Sequence, residues 1–117
     1  MKKLKIISIL ILTLNLMACD RVNEIQKHAD NAFGDQHFKT AIALIELHKT
    51  RHGQYPENLE QIQFTGDWDL MALQSVSYKQ NAEGYDLDVV NGWVGQPELK
   101  YPDEFWQGLG IQKSNMK

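Results

Sequence analysis

Residues 20–52 contain no proline and a single glycine, Gly34. Proline removes a helix hydrogen bond and clashes with the preceding turn, so a stretch this long without one leaves a long helix open, and the residues read as mainly helical. Val22, Ile25, Ala29, Ala32 and Phe33 recur at three- and four-residue steps, and a stronger stripe follows in Phe38, Ala41, Ile42 and Ile45. Gly34-Asp35 is the weak point. It reads either as a break, with Asp35 capping a second segment, or as a glycine inside one helix, at a cost of about 1 kcal/mol relative to alanine. Read as one helix, residues 22–52 would span on the order of 45 Å. Leu44 and Leu47 lie off the main stripe, Leu47 opposite Phe38. A helix apolar on a second face has that face covered by loops or by a partner.

The helix should stop at His52-Gly53. Lys49, Arg51 and His52 suit the negative end of its dipole, and glycine suits the left-handed residue that follows. Pro56 then opens a short helical turn over residues 57–62, with Leu59 and Ile62 inward. Residues 65–69 read as loop. After them the period drops to two. Val76 and Tyr78 alternate with polar neighbours, residues 81–84 turn, and Tyr85, Leu87 and Val89 alternate with Asp86 and Asp88. Asn91-Gly92 is a further turn signal, and residues 97–101 suggest a third strand beside the second. Phe105, Trp106, Leu109 and Ile111 close the core, and the polar residues 112–117 read as a flexible tail. The expected fold is α+β, a long N-terminal helix packed on a three- to four-stranded antiparallel sheet.

Ahead of this lie Lys2, Lys3 and Lys5 and an apolar run from Ile6 to Leu16. This is the pattern of a secretory signal, too short for a comfortable span of about 20 residues. It ends in "LMACD", and Leu16-Met17-Ala18-Cys19 resembles a bacterial lipobox. That resemblance implies cleavage before Cys19, the chain's one cysteine, and acylation of its sulfur. Asp20 then resembles the signal that retains a lipoprotein in the inner membrane, the outer membrane being the other destination. The expected organisation is a signal peptide (1–18), a lipidated N-terminus with a first helical segment (19–34), an α+β domain (35–111) and a tail (112–117). Loss of residues 1–18 removes three lysines and no acid, so the net charge moves from −3 to −6. Such a chain is not expected to grip nucleic acid.

The order of helix, corner, short turn and hairpin carries a second resemblance. "AIALIELHKTRHGQYPENLEQI" resembles the helix end and loop of type IV pilins and type II secretion pseudopilins, through Ala41, Ala43, Gly53, Tyr55, Pro56 and Leu59. "YKQNAEGYDLDV" is similar to the hairpin that follows there, so the likeness covers residues 38–90. It implies a pilin-like domain. The long apolar stalk of a filament subunit is missing, so an accessory or binding role is implied, not polymerisation.

Chemistry is sparse. His48 and His52 stand i, i+4 on the helix, yet no carboxylate completes a metalloprotease motif, and the cations at 49 and 51 disfavour a metal. Asp67/Asp69, Asp86/Asp88 and Asp103/Glu104 are acidic pairs; calcium would require six to eight oxygens, roughly, and a solvated acidic surface is the simpler reading. No phosphate loop or nucleophile motif occurs, so neither an enzyme nor a resident cofactor is expected. The expectation is a membrane-tethered protein that contacts an envelope partner through Leu44, Leu47, Trp68 or Trp93, near a secretion or pilus system. A calcium- or ligand-binding envelope module is the alternative.

Overall fold

The computed structural model describes residues 21–64 and 66–117. Helix α1 runs Lys2–His52, with no interruption at Gly34. Cys19 and Asp20, the expected lipid-attachment and sorting residues, lie outside the described residues. Of the two readings of Gly34, the single helix holds. The reason is a close approach: a Cβ at Gly34 would come within 2.5 Å of the Pro97 ring. Asp35 is no cap. Its carboxylate accepts hydrogen bonds from the Tyr101 hydroxyl at 2.8 Å and from Lys39 Nζ at 3.0 Å. α1 ends as expected, with Gly53 at φ 81° and its N–H donating to the Lys49 carbonyl.

A 3₁₀ turn, Leu59–Gln61, follows the buried Pro56. The expected loop at residues 65–69 is corrected by a second helix, α2, spanning Asp67–Gln74. Asp67 and Asp69 occupy its first turn, where carboxylates oppose the positive end of the dipole. Ala72 and Leu73 are its buried residues. Eight residues are too few to show a helical period, and too few to be stable alone; packing against α1 supplies the rest.

Strands β1 (Val76–Gln80) and β2 (Tyr85–Val89) pair antiparallel, in register from Val76 opposite Val89 to Gln80 opposite Tyr85. The third strand is not at residues 97–101. β3 is Ile111–Lys113, and it pairs with β2 in parallel, so the sheet is three-stranded, mixed, and ordered β1-β2-β3. Pro97 and Pro102 lack the N–H that a ladder needs. Segment 92–101 finds its partners on α1 instead. Glu98 N donates to Asn31 Oδ1 at 2.8 Å, and Pro97 packs on Gly34.

The core is Phe38, Ala41, Ile42 and Ile45 of α1 against Leu73, Val76, Tyr85, Leu87, Val89, Ile111 and Met116. Phe38 is ringed by Tyr101, Phe105 and Trp106, with centroids 5.6, 6.3 and 6.0 Å away. The α+β architecture with its long helix is as expected, while the antiparallel sheet and the flexible tail are corrected. Met116 is only 7% exposed. The Asn115 amide satisfies both backbone groups of Val89: its Oδ1 accepts from Val89 N and its Nδ2 donates to Val89 O, each at 2.9 Å. Deleting residues 114–117 should therefore lower stability by about 3 kcal/mol or more. Urea denaturation of the truncated chain checks this; a frayed tail would leave the midpoint unmoved.

Candidate contact surface

Two carboxylates of α1 organise everything that packs on the helix. Glu46 stands one turn beyond Ile42 and faces the corner. Its Oε1 accepts from the Tyr85 hydroxyl and from Gly110 N, both at 2.9 Å, and its Oε2 accepts from the Tyr55 hydroxyl at 2.9 Å. Tyr55 also lies under Lys49 Nζ, and the Tyr78 hydroxyl donates to the Pro56 carbonyl at 2.5 Å. A carboxylate among phenols could suggest acid–base chemistry. Burial, assisted for Tyr55 by its bond to Glu46, pushes both Tyr55 and Tyr78 up to about 12 and Tyr85 higher still. At neutral pH the phenols are donors, Tyr55 and Tyr85 to Glu46 and Tyr78 to the Pro56 carbonyl. The cluster ties helix, corner, hairpin and β3 together.

Asp30 does the same for the loop after β2. Its buried carboxylate accepts three successive backbone N–H groups at Oδ1: Trp93 at 2.9 Å, Val94 at 2.7 Å and Gly95 at 2.9 Å. Hydrogen bonds from Val94 and Gly95, with smaller help from Trp93 and Gln26, hold its pKa below 3.8 against the opposing effect of burial. Gly92 lies so close that a Cβ would overlap the Asp30 carbonyl oxygen. Neither Asp30 nor Glu46 stood out in the sequence. The only available signal was a lone carboxylate on or beside an apolar stripe, and such residues are usually solvated.

The four expected contact residues have different fates. Leu44 is half-buried against the core and is not a free surface. Leu47 is exposed, and with Leu44, His48, Arg51, His52, Ile62 and Gln63 it borders a shallow cleft beside the helix end. Trp68 is exposed on the first turn of α2, where its ring lies 6.0 Å from Phe33 and 5.5 Å from His37. Trp93 is exposed at the loop tip that Asp30 holds. Asp30 and His37 are seven residues apart, so their faces differ by about 20° and about 10 Å along the axis. Loop tip and α2 thus dock on one side of α1, which the sequence did not foretell. Trp106, expected in the core, is half-buried against it. His37 is buried, its Nδ1 has no hydrogen-bond partner among the described residues, and burial lowers its pKa.

The acidic pairs do not converge. Asp86 Oδ1 accepts from Asn81 Nδ2, Asp88 Oδ1 accepts from Asn115 N, and Asp67 and Asp69 belong to α2. The His48 and His52 rings stand 4.4 Å apart, and His48 is lowered by burial first and by repulsion from His52 second. Among the described residues, no group of three or more His, Cys, Asp or Glu could hold a metal ion, and no helix is long and apolar enough to cross a membrane. No family model matches the chain, and neither the curated proteins nor the solved structures provide a match.

Both carboxylates are open to test. Glu46→Ala leaves the buried Tyr85 hydroxyl and the Gly110 amide without an acceptor and should cost about 2–4 kcal/mol in chemical denaturation. Because all four tyrosines are pushed above 10 in the folded state, stability should be lost as pH rises past 10, the value the unfolded chain returns to. An ultraviolet titration should then show phenolate appearing together with unfolding, not before it. Asp30→Ala should abolish amide-exchange protection at Trp93, Val94 and Gly95 while leaving β1 and β2 protected. In the native chain that protection should survive acidification to below the ordinary Asp range.

Proposed function

We propose that this chain is a lipid-tethered bacterial envelope protein, non-enzymatic, whose α+β domain contacts another protein. The tether is supported by the basic start, the short apolar run and Leu16-Met17-Ala18-Cys19, with Asp20 favouring retention in the inner membrane. The observation that carries the contact role is Trp68. This large exposed ring is held between Phe33 and His37 and the first turn of α2. An aromatic side chain ordered before binding loses little freedom on association, which is what interface hot spots require. Leu47, on α1, adds a second exposed apolar point. The Gly53-Gln54-Tyr55-Pro56 corner and Leu59 keep the resemblance to pilins and pseudopilins in view, and it points to a partner beside a secretion or pilus apparatus.

A photo-reactive amino acid at position 68, in the full-length protein in cells, should give one discrete adduct containing a secretion or pilus component. The same group at the exposed turn residue Glu83 should give none. Intact mass of the membrane-extracted protein should show cleavage before Cys19 and an added diacylglyceryl mass, both lost in Cys19→Ser. Scattered adducts from position 68 would defeat the contact role, and an unprocessed chain would defeat the tether.

A further inference from the structure

The described residues expose nine large apolar side chains, and they fall into two groups. Met71, Phe64, Leu47 and Trp68 are 41–46% exposed, whereas Ile25, Val94, Val22, Trp93 and Val90 are 55–65% exposed. Val22 and Ile25 belong to the first described turns of α1, Trp93 and Val94 to the loop tip that docks on Asp30, and Val90 to the start of that loop, where its N–H donates to the Ser75 carbonyl. Gly95 stands over Gln26, and Gln96 shares a polar cleft with Asn23, Gln26 and Lys27. This is the end of the domain nearest Cys19. Val22 follows it by three residues in the chain.

We infer that this end rests on the lipid bilayer: Val22 and Ile25 lie against it, and the Trp93–Val94 tip enters the interfacial layer. The inference builds on the tether proposed above and names the second thing the domain touches. Three observations favour lipid over a protein at this place. The first is the backbone of the tip. A loop entering a poorly hydrated layer must not carry orphan amides, and the N–H groups of Trp93, Val94 and Gly95 are all taken by Asp30. The second is composition. Tryptophan flanked by valine suits the zone where an apolar body meets water and headgroups. The third is position. An anchor at Cys19 lies three residues from Val22 in the chain, a reach of at most about 11 Å even when fully extended, so contact requires no search. With Trp93 assigned to lipid, Trp68 and Leu47 remain for the protein partner. The mature chain is acidic, so the contact is apolar and should not depend on salt or on anionic lipid.

The test uses the full protein extracted from membranes. Its intact mass reports whether Cys19 is acylated. If the thiol is free, coupling Cys19 to a maleimide-headgroup lipid supplies the tether, so docking is read in either case. The protein is placed in phosphatidylcholine vesicles carrying brominated acyl chains, and the emission of Trp93→Phe is subtracted from wild type to isolate Trp93. The expected result is a blue-shifted Trp93 signal quenched at least twofold, unchanged in high salt. Val94→Glu should relieve the quenching while the emission of Trp68 and Trp106 stays as it was; it retains all three amide donors, so the fold is kept. A Trp93 signal that is unquenched and centred as in water, in a tethered protein, overturns the inference. So does a photo-reactive residue at position 94 that labels a single protein in cells instead of lipid.

Discussion

Glu46 is the point on which four segments converge. One carboxylate accepts from the corner through Tyr55, from the hairpin through Tyr85, and from the residue before β3 through Gly110. Each donor comes from a different part of the chain, and only a carboxylate has the lone pairs to take them all. The sheet is small, and its parallel strand has three residues. Such a sheet has few ladder bonds of its own. The helix therefore acts as its fourth edge, through side chains instead of backbone.

The same device recurs along α1. Asp30 takes three amides of the loop tip, Asn31 takes Glu98 N, and Asp35 takes the Tyr101 hydroxyl. Residues 90–101 form no strand, yet their backbone is not abandoned to solvent, because polar side chains on the helix stand in for a neighbouring strand. This explains how a chain with no internal disulfide holds a long irregular connection against a helix. It also explains why the connection can present Trp93 and Val94 outward. The loop's polar groups are spent inward on Asp30.

Much of this arrangement was legible. The proline-free run marked α1, Gly53 marked its end, and the alternation from Val76 to Val89 marked the hairpin. Each of those signals is local, and each needs only a few residues to be read. The errors came where tertiary contact overrode local pattern. α2 was hidden because eight residues carry barely two turns of period. Residues 97–101 looked like a strand, but their partner is a helix. Residues 112–117 looked frayed because nothing local shows that Asn115 pairs with Val89 or that Met116 meets the core. Of the expected contact residues, Trp68 and Trp93 were readable as tryptophans near loops. Leu44 was not, since a leucine off the main stripe gives no sign that it packs against the core.

By itself, then, the sequence determined the long helix, its stop, the hairpin and the acidic, singly cysteine-bearing character of the chain. These follow from backbone sterics, side-chain period and charge, which act between near neighbours. The tertiary structure alone decided that β3 is parallel, that Gly34 serves Pro97, and that Asp30 and Glu46 are hubs. It also decided that Trp68 and Trp93 are both held on one side of α1. Those outcomes depend on donors meeting acceptors up to 67 residues away, and a buried carboxylate looks no different in sequence from a solvated one.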